Sequence, residues 1–164
     1  IEGSNQMVEK LFIPVTAFRV YETFDQGGIV TLVKDILLYS HEENNNCSII
    51  QFNLQVRNNS DKDAYMLYDI SPIVLNTGEQ KDDTDRCTIH RVFKSAVKEG
   101  ELVYEVKSRI ESIKTIRWVL SGPLHNYTNA DSSGEIIGGD CDFTFNLDLY
   151  PKNFGYKAIN SNYL

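Results

Sequence analysis

No apolar run in this 164-residue chain extends beyond a few positions, far short of the roughly 20 residues a membrane-spanning helix requires. The N-terminus also lacks the basic, apolar and small-residue order of a secretory signal, and the chain begins at Ile1 without Met, as a processed or trimmed chain would. Cysteine is scarce. Cys47, Cys87 and Cys141 allow one disulfide with a thiol left over, too few for a disulfide framework, and a chain of this length buries enough core not to need one. Positive charge is in deficit: 16 basic against 23 acidic residues give a formal net charge of −7. Lys94, Lys98, Lys107, Arg109, Lys114 and Arg117 are interleaved with acids and form no basic stripe, which disfavours nucleic acid and recruitment to an anionic membrane by charge alone. Motifs are missing too. There is no G-x-S-x-G elbow, and Gly27-Gly28 and Gly138-Gly139 lack the surrounding pattern of a phosphate-cradling loop, so turns account for them better.

What is present is ordinary globular material, 41% hydrophobic and 24% charged, expected to form one domain over residues 1–164. The dominant signal has a period of two. Ile50, Phe52, Leu54 and Val56 alternate with Gln51, Asn53, Gln55 and Arg57, which describes a strand with one core face over Ser48–Val56. Cys141, Phe143, Phe145, Leu147 and Leu149 alternate with polar residues in the same way, predicting a strand over 141–149. Further strands are expected over 11–15 and 17–23, 29–39, 64–70 (as a hairpin with the Ser48–Val56 strand), 73–75, 87–93 and 116–120. Residues 101–113 fit either helical spacing or a strand, and strand is preferred. The connections are Asp25-Gln26-Gly27-Gly28, Asn58-Asn59-Ser60-Asp61 and Asn76-Thr77-Gly78-Glu79, with a polar loop over 42–46. About eight short strands with little helix predict an all-β, antiparallel two-sheet β-sandwich of immunoglobulin-like or jelly-roll type. Trp118, the only tryptophan, belongs in its core.

The segment Ile49–Gly78, with its apolar alternation, the Asn58–Asp61 turn, a second strand and Leu75-Asn76-Thr77-Gly78, resembles the immunoglobulin-like accessory domains of bacterial surface lipoproteins and secreted proteins. That resemblance implies an extracytoplasmic binding module without an active site.

Three groups of residues are candidates for chemistry. Tyr150, Phe154, Tyr156 and Tyr163 crowd the C-terminal segment with Asn153, a composition suited to binding a glycan or a protein, because the rings give rigid apolar faces and the amide directional bonds. The plain alternative is that Tyr150 and Phe154 cover the sandwich edge. Asp82, Asp83 and Asp85 in one loop, with Asp140 and Asp142 after Gly138-Gly139, would suit calcium if they converged, as hard cations take six to eight oxygens. Otherwise they are solvated turn residues. Cys87 and His90 form a C-x-x-H pair, but a structural zinc site needs a second pair, and none is present. Asn46, Asn58 and Asn126 open glycosylation sequons.

The expected function is a non-enzymatic binding or structural module of a cell-surface, secreted or virion protein, with a protein or carbohydrate partner and no required cofactor. Two alternatives have distinct requirements. A C2-like, calcium-dependent lipid-binding domain would use Asp83, Asp85, Asp140 and Asp142, and a sugar-active enzyme would draw a carboxylate pair from Glu101, Glu105, Glu111 or Glu135.

Overall fold

The computed structural model describes residues 14–41, 44–128 and 133–157. Within them the chain forms β1 (Pro14–Gln26), β2 (Ile29–His41), β3 (Asn44–Asn58), β4 (Ala64–Tyr65), β5 (Ile73–Leu75), β6 (Gln80–Lys81) and β7 (Arg86–Cys87). It continues as β8 (Arg91–Val92), β9 (Val97–Val106), β10 (Thr115–Leu120), β11 (Leu124–Thr128), β12 (Ser133–Ile136), β13 (Cys141–Asn146) and β14 (Lys152–Lys157). One layer is a six-stranded antiparallel sheet in the order β14-β1-β2-β3-β9-β7. The other is built from two four-stranded sheets, β13-β10-β5-β6 and β12-β11-β4-β8. Three of the four strands of the first of these have a chain neighbour in the second, since β10 runs on into β11, β12 into β13 and β4 into β5, so the two lie end to end as halves of an interrupted layer. The expected all-β sandwich is observed.

The layers close over one apolar cluster. Phe52, Leu54 and Val56 from β3 meet Trp118 and Ile116 from β10, Phe145 from β13 and, at the far end, Ala64 and Val92. At the junction of the half-sheets the buried Gln26 amide donates to the carbonyls of Leu120, Ser121 and, at 3.0 Å, Gly139. Two buried tyrosines fasten the crossing between β4 and β5 to the six-stranded sheet. Tyr68 Oη lies 2.6 Å from Thr31 Oγ1, and the Tyr104 hydroxyl donates to the Ser71 carbonyl at 2.6 Å.

The β1–β2 hairpin turns on Gly27 and Gly28 at φ +63° and +93°, the pair of positive values that a two-residue turn of type I′ demands, and Asp25 accepts the Gly28 N–H at 2.9 Å. Pro14 opens β1 rather than breaking it. The expected strands over 11–15 and 17–23 are one strand from Pro14 onward, because a first residue has no ladder donor to lose, and residues 11–13 lie outside the described residues.

Other expectations need correction. Residues 44–46 belong to β3, not to a loop, while 42–43 lie outside the described residues. The expected strand over 64–70 reduces to β4 and a 3-10 turn at Tyr68–Ile70. It forms no hairpin with β3, whose two edges are taken by β2 and β9, so β4 crosses to the other layer. Likewise 87–93 is two strands in different sheets, β7 beside β9 and β8 beside β4. Over 101–113 the strand reading holds to Val106, after which Ile110–Ser112 form a 3-10 turn. In the final alternating run β13 stops at Asn146, whose side chain accepts the Asp148 N–H, and the turn that follows leaves Leu149 77% exposed.

Candidate functional site

Of the C-terminal candidates, Tyr150 is the one whose side chain is described. Tyr150 is half-buried against the sandwich edge, donating its hydroxyl to Glu22 at 3.3 Å; burial, then the Glu22 carboxylate, pushes its pKa up to about 12. Asn153, Phe154 and Tyr156 sit on β14, with their backbone paired to Ala17, Thr16 and Val15 of β1, and Tyr163 lies outside the described residues.

The acidic candidates are separated by topology. Asp82, Asp83 and Asp85 follow β6, at one edge of its sheet, whereas Asp140 and Asp142 stand at the start of β13, at the opposite edge. Three strand spacings, roughly 14 Å, lie between those edges. Several of the oxygens have partners. Asp82 accepts from Gln80, Asp85 from Lys81 and from the Glu105 N–H, Asp140 from the Gly122 N–H, and Asp142 holds the Arg117 guanidinium at both oxygens. Among the described residues no three His, Cys, Asp or Glu side chains gather as a metal would require. The expected convergence on a cation is therefore not found.

All three cysteines are free thiols. Burial raises each one, most clearly Cys47, which reaches about 12 with its Sγ–H donated to Glu105 at 2.9 Å. Protonated thiols are poor nucleophiles and poor metal ligands. His90 is exposed, and Cys87 instead donates to the Ile89 carbonyl. The four glutamates are also dispersed. Glu101 and Glu105 lie on the outer face of β9, where Glu101 meets Arg86 at 3.6 Å; Glu111 lies in the 3-10 turn; Glu135 lies on β12.

One carboxylate does hold structure. Glu79, in the turn after β5, accepts the N–H groups of Lys107 and Ser108 at 2.8 Å each and the Ser108 hydroxyl at 2.6 Å. Burial pushes its pKa up, but these bonds and the Lys107 charge outweigh burial and hold it below the usual carboxylate value. A carboxylate depressed in the folded state contributes stability that is complete above the unfolded pKa, about 4.3, and is lost as pH falls through the folded value. Glu79→Gln is expected to lower stability by about 2 kcal/mol at neutral pH, with the gap to wild type closing near pH 3. Urea midpoints at both pH values check this; an equal gap at both would contradict it.

A concavity that the sequence did not point to lies among the described residues of the second layer. On the outer face of the β12-β11-β4-β8 sheet, the pairings Arg91↔Tyr65, Tyr65↔Leu124 and Leu124↔Ile136 set four side chains in one cross-strand row. Beside this row opens a cleft of about 470 Å³, with Tyr65 and Leu124 on its lining and Asp61, Lys62, Asp63, Arg91 and Lys94 around them. Two smaller clefts, of about 210 and 150 Å³, lie elsewhere. Phe93, 55% exposed, continues the outward face of β8 with the Arg91 guanidinium 5.8 Å from its ring centre, and Ile136 is 71% exposed.

The walls are held from beneath. Asn58, fully buried, donates its amide to the carbonyls of Lys62 and Val92 at 2.9 and 3.0 Å and accepts from the Ser60 N–H and hydroxyl. Asp63 accepts the Lys94 N–H at 2.8 Å. The His125 ring, nearly buried, places Nδ1 3.1 Å from the Asp63 carbonyl, and because a carbonyl only accepts, that nitrogen carries the proton. Asn58 was a sequon candidate; with its amide hydrogens committed inside the fold, it has no room for a glycan in the folded protein. Asn46 and Asn126 are placed only as backbone, on β3 and β11.

No family model matches the chain. No curated protein matches it either. Among solved structures it is similar, over 79% of its length, to a candidate lipoprotein from Bacillus subtilis, with a TM-score of 0.53 and 11% identity. The chain spans 39% of that protein's length. A conserved hypothetical protein from Bacillus anthracis is similar over 76% of this chain and 98% of its own, with a TM-score of 0.46 and 12% identity. At 11% identity, what the chain shares with the Bacillus subtilis protein is its fold. No helix among the described residues is long and apolar enough to cross a membrane.

Proposed function

We propose that this chain is a non-catalytic binding module of an extracytoplasmic protein, and that it recognises a glycan or protein partner through the Tyr65 cleft. The observation that carries this reading is the row of outward side chains from four adjacent strands beside an open cleft within the usual size range of small-molecule sites, about 300–1,000 Å³. An outer sheet face with an aromatic, two aliphatics and a guanidinium departs from the plain polar face a solvated sheet presents, and Tyr and Arg are the residues that most often anchor partners. The extracytoplasmic placement draws its support from the fold shared with a candidate lipoprotein, a class of protein carried at the cell surface. The calcium-bridged lipid-binding alternative loses its basis, because its acids occupy opposite sheet edges.

A glycan array and a screen of surface-protein ectodomains, run on wild type and on Tyr65→Ala/Arg91→Gln, test the reading. The double variant is expected to lose at least tenfold in affinity for any partner found, or about 1.4 kcal/mol. Asp82→Asn, at a distant edge, should bind as wild type does. Equal binding by wild type and the cleft variant would sink the assignment.

A further inference from the structure

We propose that the Tyr65 cleft takes an acidic saccharide, a sugar whose carboxylate or phosphate group lies between Arg91 and Lys94. This rests on the cleft being the binding face, and three features of the lining narrow the ligand. Electrostatics comes first. The chain holds 23 acidic against 16 basic residues, yet Arg91 and Lys94 enter none of the ion pairs among the described residues. Lys62 is held only loosely, 3.9 Å from Glu135, with both side chains largely exposed. Among the described residues the cleft is lined by Lys62, Arg91 and Lys94 with Asp61 and Asp63, and with Glu135 set against Lys62 it is Arg91 and Lys94 that stand outside any ion pair, in a protein whose net charge is −7. A guanidinium fork beside an ammonium suits an oxyanion, since the fork meets two oxygens in its own plane.

The second feature is the floor. Tyr65 and Leu124 contribute apolar area to a mainly polar lining, where the C–H groups of a pyranose could rest, while Asp61 and Lys62 supply an acceptor and a donor for ring hydroxyls. Such a mixture matches a sugar better than a bare inorganic anion, which has no apolar face to bury.

The third feature separates a saccharide from an acidic peptide. Extended peptides commonly bind a sheet by adding a strand, which requires a free row of backbone donors and acceptors. β4, which carries Tyr65, is already paired on both sides, by β8 and β11. A peptide could add a strand only along the sheet's edges, β8 and β12, so a ligand seated over Tyr65 itself is held by side chains.

Calorimetric titration at about 50 mM salt, where screening is modest, tests the proposal with four probes: tetragalacturonate, its neutral methyl ester, a phosphomannan oligosaccharide and hexaglutamate. At least one acidic saccharide should bind at least tenfold more tightly than the neutral ester, and which of the two binds better separates a carboxylate from a phosphate source. The variant Arg91→Gln/Lys94→Gln should weaken that binding at least tenfold while keeping the wild-type urea midpoint, because both side chains are exposed. Binding by neither acidic saccharide, equal binding of acid and ester, equal binding by wild type and variant, or tighter binding of hexaglutamate would each overturn the proposal. If the cleft variant of the preceding section still loses a neutral glycan or protein partner, the binding face stands and only the ligand class falls; if it loses nothing, both fall.

Discussion

Replacing Trp118 with alanine is expected to destabilise the protein by about 3–5 kcal/mol, the range for removing a large aromatic from a packed core. The indole is fully buried on β10 and touches both layers. Its ring centre lies 5.2 Å from Phe52 of the six-stranded sheet and 5.6 Å from Phe24 of β1, both edge-on, and it stacks with Tyr68 at 6.4 Å. Phe145, 6.3 Å away, completes the ring. Truncation would thus open a cavity where three elements meet, and close packing elsewhere lets little of it collapse. A urea midpoint lower by roughly 2 M, with the slope preserved, is the expected reading, and Trp118→Phe should recover much of the loss. A midpoint within a few tenths of wild type would show that the sandwich is not centred on this residue.

A comparable loss, about 3 kcal/mol, is expected from Asn58→Ala, and for a different reason. The side chain contributes little apolar area but satisfies two carbonyls and two donors inside the fold. Removing it leaves the Lys62 and Val92 carbonyls without their partner, and an orphaned buried acceptor costs about 1–3 kcal/mol. Asn58→Asp should be at least as harmful, since it sets a carboxylate against both carbonyls. Because Asn58 holds the turn that carries Asp61, Lys62 and Asp63 of the cleft lining, the amides of 59–63 should also exchange faster in the variant, read by hydrogen exchange coupled to mass spectrometry. Unchanged exchange and stability would contradict the role given to Asn58. Enzymatic deglycosylation of secreted material should leave the mass at this position unchanged, whereas a glycan on Asn58 in folded protein would be a direct contradiction.

These two residues show what was legible before the fold was seen and what was not. Trp118 lies on a strand whose alternation with Arg117 and Val119 was plain, so its burial followed from period alone. β3 was legible for the same reason, with Phe52, Leu54 and Val56 on one face. The short strands were not. β7 and β8 are two residues each, too brief to show a period, and what separates them is tertiary pairing, one with β9 and the other with β4. Asn58 read as a turn residue and a sequon, and nothing local reveals that its amide points inward to carbonyls as far along the chain as Val92.

The candidate site was legible only in pieces. Tyr65, Arg91 and Leu124 come from three separate stretches and become neighbours because β4 lies between β8 and β11, an order that strand-by-strand reading does not supply. One local signal was available in Arg91-Val92-Phe93-Lys94, where a single buried valine alternates with outward basic and aromatic residues. The acidic loops failed in the converse way. Their composition suited a cation, but strand order set them at opposite edges.

The most direct test of the cleft as the binding face is a nitrogen-15 amide-shift titration of wild-type protein with tetragalacturonate, or with whichever array ligand binds. Perturbations are expected to concentrate on residues 61–65, 91–94 and 124–125. A response confined to 150–157 or to the loop after β6, with the Tyr65 cleft silent, would contradict it.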